Sequence, residues 1–217
     1  MIVGMARPYV GGPFTFWGLK MILRISELVD AQGGLVLSRK EAKDHEADIY
    51  RYKRLTLRSL AEDGYINDSD LEDFFTNESL NSAWFASPGD VVIRLFSPLC
   101  LTVIDESRKK LLVPSQLAML KVKDRSIISP EFLRLSLSQK EVQEHVRRIE
   151  RGTAQRTVKL GTIMDLQIEV PDMETQRQAV EVDELGRKRE RMYMDLIDQE
   201  RQLTDIAIRK IIGGSLK

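Results

Sequence analysis

Apolar and polar positions change rhythm twice along this chain. Over residues 21–122 the apolar residues fall in short runs separated by turn chemistry; from Pro130 they take helical spacing; beyond Pro171 they settle into a seven-residue repeat. Residues 1–20 follow neither rhythm: Gly11-Gly12-Pro13-Phe14 and Phe16-Trp17 read as an irregular arm. Ile22, Leu23, Ile25, Leu28 and Val29 predict a short helix or strand running into Gly33-Gly34, after which Leu35-Val36-Leu37 is extended. Residues 50–57 alternate, with Tyr50, Tyr52, Leu55 and Leu57 set against Arg51, Lys53, Arg54 and Thr56, and predict a half-buried strand. A turn at Gly64-Tyr65-Ile66-Asn67 precedes residues 68–75, expected as a short acidic helix or loop.

Pro88-Gly89-Asp90 is a turn that launches the β-branched run 91–95. A second apolar run, 101–104, ends in the charged loop 105–110; Leu111-Leu112-Val113 stops at Pro114, and residues 117–122 form a further strand. Ser129 then stands as N-cap before Pro130 at the first helical position, opening a helix to Arg134 or beyond, and residues 140–151 make a second. Strands and helices mixed without a βαβ alternation indicate an α+β chain.

The tail differs in kind. Asp172 is an N-cap, and Glu174 favours the positive end of the helix that follows. With Val182 at position a, the a and d positions read Val182, Leu185, Arg189, Met192, Leu196, Gln199, Leu203, Ile206 and Lys210, six of the nine apolar. Such a helix extends roughly 60 Å at about 1.5 Å per residue, more than a small domain covers. It is therefore expected to pair as a coiled coil, its polar interruptions fixing register or lowering stability, the alternative being a helix packed on its own domain.

Composition narrows the class. The 217 residues, 42% hydrophobic and 30% charged, suit one large domain or one domain with an appendage. No apolar run nears the ~20 residues of a membrane span, and the N-terminus lacks a signal-peptide pattern, so a cytoplasmic protein without a membrane partner is expected. The single cysteine, Cys100, lies in the apolar run Leu99-Cys100-Leu101 and reads as a core residue, with neither a disulfide framework nor a thiolate cluster for zinc. The 33 basic and 33 acidic residues cancel, which argues against binding nucleic acid by bulk charge. Their distribution is uneven: residues 1–60 carry 10 basic and 6 acidic groups, 61–90 carry 8 acidic and no basic, and 91–130 carry 7 basic and 3 acidic. Two basic regions thus flank an acidic one, which lets phosphate contacts come from loops on one face.

Catalytic inventory is thin. No Gly-x-Gly-x-x-Gly, Gly-x4-Gly-Lys-Ser/Thr or Gly-x-Ser-x-Gly motif occurs, nor the Asn/Asp-Pro-Pro-aromatic motif of a DNA methyltransferase. His45 and His145 sit apart among charged residues, as solvated surface histidines do. No catalytic residue, metal ligand or cofactor is assigned.

One ordered set of segments remains. Arg24-Ile25-Ser26-Glu27-Leu28, Gly34-Leu35-Val36-Leu37-Ser38-Arg39, Tyr52-Lys53-Arg54-Leu55 and Pro88-Gly89-Asp90-Val91-Val92-Ile93-Arg94 come first. Leu112-Val113-Pro114-Ser115-Gln116-Leu117-Ala118, Ile128-Ser129-Pro130-Glu131-Phe132-Leu133 and Gly152-Thr153-Ala154-Gln155 follow. In this order, with Leu166-Gln167-Ile168-Glu169-Val170-Pro171 and Gln176, the chain resembles the specificity subunits of type I restriction-modification systems from about Met21 onward. The resemblance implies a mixed target-recognition domain over 21–171 followed by a long coiled-coil-type helix over 172–217, after the arm 1–20.

It also implies a non-catalytic subunit that reads a gapped site on double-stranded DNA and directs a methyltransferase subunit, with a restriction subunit, to it. Family members join two recognition domains by long helices, whereas this chain offers one of each. A homodimer through Val182, Leu185, Met192, Leu196, Leu203 and Ile206 would restore two readers and demand a palindromic target. A helix of ~60 Å spans at most about 18 base pairs. The alternative is a remnant half-subunit serving as an interaction or regulatory module. Residue types suited to phosphates and base edges nominate Arg39, Lys40, Arg94, Ser97, Lys109, Lys110, Gln155 and Arg156, with Arg94 alternatively a buried structural partner. Gly152-Thr153-Ala154-Gln155 and Arg156 are preferred, because small residues let the backbone approach closely.

Overall fold

The computed structural model describes residues 21–42, 50–108, 110–150 and 157–213. The arm expected over 1–20 lies outside the described residues. The ambiguous start resolves into three elements in quick succession: β1 (Met21–Arg24), α1 (Ile25–Leu28) and β2 (Val29–Gly33). A single helical turn buries Ile25 and Leu28, and Glu27 closes its start by accepting the Arg24 N–H at 2.7 Å. Four residues are too few for a 3.6-residue period to declare itself, so only packing chose this helix.

β3 (Tyr50–Arg54) occupies the first part of the predicted strand 50–57. Residues 68–75 correct the expectation of an acidic helix or loop: a 3-10 turn at Asp68–Asp70 leads into β4 (Glu72–Thr76), antiparallel to β3. Phe74 and Thr76 point inward there, while Arg51 and Lys53 on β3 neutralise Asp73 across the ladder. Cross-strand charge pairing let an acidic sequence become a strand. β5 (Phe85–Ala86) and β8 (Leu111–Leu112) complete a sheet of order β4-β3-β8-β5, with β3 and β8 parallel.

The other four-stranded sheet is antiparallel, in the order β2-β9-β6-β7, built with β6 (Val91–Arg94), β7 (Leu101–Val103) and β9 (Leu117–Val122). Its inner strands are covered on both faces. Val91, Ile93, Ala118 and Leu120 join one apolar cluster, and Val92, Leu117 and Met119 join another. A strand buried on both sides reads as an unbroken apolar run, as β6 and β9 do. Cys100 lies in the second cluster, and burial pushes its thiol pKa up.

α2 (Pro130–Ser138) begins as the capping signal demands, the Ser129 hydroxyl accepting the Phe132 N–H at 3.1 Å. α3 (Lys140–Glu150) and α4 (Leu160–Met164) follow, and α2 with α4 helps close the first cluster through Leu133, Leu137 and Ile163. β10 (Gln167–Val170) returns to pair with β1, burying Ile168 and Val170. Then α5 (Met173–Ile211) runs for 39 residues, about 58 Å. The Asp172 carboxylate caps it, accepting from the Glu174 and Thr175 amides.

Gln176 fastens the base of α5 to the domain. Fully buried, its amide accepts from Ser129 N–H at 3.0 Å and donates to the Ile127 and Pro171 carbonyls at 2.8 and 2.9 Å. No helix among the described residues is long and apolar enough to cross a membrane, and no cluster of acidic, His or Cys side chains among them has the makings of a metal site.

Candidate nucleic-acid interface

Three loops that are distant in sequence meet at one edge of the two sheets. The turn after Leu35, the loop leaving β3 at Arg54, and the segment 114–116 line a groove of about 490 Å³. Gly34 allows the meeting: a Cβ there would stand 2.1 Å from the Pro114 carbonyl oxygen, so only glycine lets these backbones touch. Leu35 N–H donates to the Val113 carbonyl at 2.8 Å and Ser115 N–H to the Leu35 carbonyl at 2.8 Å, locking the two loops together.

The third loop is stiffened by its own side chains. Thr56 N–H donates to the Ser59 hydroxyl at 2.9 Å, Ser59 N–H returns to the Thr56 hydroxyl at 3.1 Å, and the Thr56 hydroxyl donates to the Asp70 carbonyl at 2.9 Å. This reciprocal knot leaves Leu57 and Arg58 exposed at the turn's crown. Ser38, Ser115 and Gln116 add hydrogen-bonding side chains to the same groove. Its charge is mixed. Arg54 pairs with Glu72 on the groove wall, leaving the buried Arg54 Nε unpartnered, while no ion pair among the described residues takes up Arg58. Nearby on the outer face of β3, Arg51 and Lys53 hold the Asp73 carboxyl down to about 2.

The nominated residues fall in several places. Arg39 follows Ser38, a groove-lining residue outside that set, and is exposed and without an ion-pair partner among the described residues; Lys40 pairs with Glu78 at 2.5 Å. Arg94 ends β6 half-buried, donating to the Pro98 carbonyl at 3.2 Å across the loop that carries Ser97, so its structural role is the one with contacts. That loop adjoins the groove, since Leu95 N–H donates to the Gln116 carbonyl at 3.0 Å, and Val158 N–H bonds back to Leu95 at 3.0 Å. Lys109, Gln155 and Arg156 lie outside the described residues. Lys110 is exposed on a loop tied down by Arg108, which pairs with Asp68 and Asp105 beside a different cavity. His145 is exposed on α3; His45 lies outside the described residues.

Arg58 and Gln116 were not nominated from the sequence, though both carry suitable chemistry: Arg forks onto guanine or phosphate, and Gln pairs bidentately with adenine. The signal available was an Arg just after a predicted strand and a Pro-Ser-Gln turn before another. Neither pattern says which loops will share an edge.

No family model and no curated protein matches the chain. Solved structures do. A chain from a structure describing complex assembly and conformational transition of the type I R-M system superposes with a TM-score of 0.58 at 15% identity, over 92% of this chain and 46% of the other. The type I restriction-modification S subunit from M. genitalium superposes with a TM-score of 0.53 at 16% identity, over 87% of this chain and 44% of the other. At this identity the likeness is one of fold: a mixed α+β domain followed by a long helix. The chain spans under half the length of these solved chains.

Proposed function

We propose that this chain reads one half of an interrupted site on double-stranded DNA, and that two copies paired through α5 read both halves. The observation that carries the reading is the extent of the shared fold, one domain and one helix that superpose on 44% of an S subunit. The groove supports the reading role. Arg58 and Arg39 offer uncommitted cations for phosphates, and Gln116, Ser115 and Ser38 offer base-edge partners on stiffened loops. In a chain of zero net charge, affinity has to come from such local placement.

The pairing rests on α5. At about 100° per residue, the stripe that docks on the domain (Gln176, Val180, Asp183, Arg187) lies on the side opposite the seam Val182, Leu185, Met192, Leu196, Leu203 and Ile206. Val182 and Leu185 accordingly stay 72% and 63% exposed although level with the docked residues. Past Arg191 the exposed Tyr193, Ile197, Ile208 and Ile211 widen the apolar face to about half the helix circumference. A face that broad takes more than one partner helix, which favours a second copy together with a methyltransferase subunit. The assembly, joined by a restriction subunit, would bring modification or cleavage to a gapped palindrome, this chain serving as its non-catalytic reader.

Co-expression with a type I methyltransferase subunit from the same host, followed by mapping of adenine methylation, tests the proposal. One gapped palindromic motif is the expected result. Co-purification without any motif would favour the alternative of a regulatory interaction module, and failure to co-purify would overturn both.

A further inference from the structure

Among the described residues, only the first half of α5 touches the rest of the chain, and it does so along one stripe that changes chemistry as it climbs. Gln176 and Val180 are held in the core; Asp183 turns the stripe charged; Arg187 and Arg191 end it. Two arginines four residues apart on one helix face repel each other and weaken an isolated helix. Here both guanidiniums lie against the ring of Tyr65, 4.9 and 4.8 Å from its centroid, where the negative face of the ring attracts cations. Arg187 is tied further, its Nε to Asp183 at 2.8 Å and its Nη1 to the Asp63 carbonyl at 3.3 Å. Asp183 in turn pairs with Arg134, buried on α2. Beyond Arg191 every described helix residue is exposed.

These polar contacts, not close packing, hold the helix at this level. A cavity of about 560 Å³ opens beside Tyr65, walled by α5 on one side and by residues 102–108 on the other. The free part of α5 beyond Arg191 is roughly 30 Å long at about 1.5 Å per residue. A swing of about 10° at its root moves the tip about 5 Å, more than the ~3.4 Å rise of one base pair. We propose that Tyr65, gripped by Arg187 and Arg191 above the Arg134–Asp183 pair, is a positioning residue. It fixes the angle at which α5 leaves the domain and, resting on the DNA-reading dimer proposed above, the number of base pairs between the half-sites.

The test uses the full chain in a Cys100→Ala background, spin-labelled through Ser79→Cys on the domain and Arg209→Cys near the end of α5, and diluted into unlabelled chain so that distances between copies drop out. Pulsed electron paramagnetic resonance should give one narrow distance peak, retained by Tyr65→Phe, which keeps the ring, and lost in Tyr65→Ala. A narrow peak in Tyr65→Ala would overturn the clamp. Selection of duplexes from a randomised pool gives the second readout: the same half-site sequence for both variants, at one spacing for Tyr65→Phe and several neighbouring spacings for Tyr65→Ala. An unchanged single spacing in Tyr65→Ala overturns the gap-setting role. A pool that yields no motif even with unaltered Tyr65 removes the DNA-reading proposal and the gap role with it, whereas the distance peaks still decide the clamp.

Discussion

At the scale of single residues, the strongest consequences come from groups whose neighbours leave them no freedom. Arg134 is 4% exposed, and burial and then the facing Arg187 push its pKa down, against the pull of Asp183. Asp183→Ala strands two guanidiniums beside each other, one of them out of water, and should cost about 3 kcal/mol in urea denaturation. Replacing Arg134 by Met in that variant should recover much of the loss, since an apolar pair leaves no charge buried. Gly34→Ala drives a methyl group into the Pro114 backbone and should cost a comparable amount, about 2–4 kcal/mol, with a changed groove. Asp73 offers a titration. Its folded value near 2 lies below the ordinary carboxylate range, so its pairing with Arg51 and Lys53 is intact at neutral pH and lost as pH falls toward 2. The Asp73 carboxyl carbon followed by NMR should titrate near there, and Arg51→Ala should move the midpoint up.

At the scale of elements, the groove loops and α5 make separate predictions. If Arg58 meets a phosphate, Arg58→Ala should weaken DNA binding uniformly across sequences and reduce the salt slope by about 0.9, measured by fluorescence anisotropy at several salt concentrations. Gln116→Ala should instead leave the slope alone and lose about 1–3 kcal/mol of discrimination at one base pair. Equal losses on specific and random duplexes would remove Gln116 as a base reader. On α5, Leu196→Glu with Leu203→Glu puts charges on the seam opposite the docking stripe. Sedimentation should show the dimer mass falling to that of the monomer with the domain's thermal transition unmoved, because neither residue contacts the domain.

For the whole molecule, arrangement matters more than quantity of charge. The acidic stretch 61–90 is largely used within the fold: Asp68 with Arg108, Glu72 with Arg54, Asp73 with Arg51 and Lys53, and Glu78 with Lys40. The acidic stretch between the two basic regions is mostly the counter-charge of those regions. Binding should therefore depend on the few cations left over, and a duplex without the motif should bind weakly at physiological salt and be lost steeply above it.

The sequence by itself determined the elements whose signal is local and long. The capped starts of α2 and α5, the runs that became β6 and β9, and a long helix after Asp172 were all legible, because caps and periodicity need no distant partner. The tertiary structure decided what local signals leave open. It split residues 21–33 into strand, turn of helix and strand, made β4 from an acidic stretch by pairing it with a basic neighbour, and closed β1 on β10 from the far end of the domain. It also brought residues 36–38, 54–58 and 114–116 into one groove and set Tyr65 against two arginines from α5. Those juxtapositions follow from which sheet edge each loop leaves, and that depends on contacts between residues far apart in the chain, which no window of sequence contains.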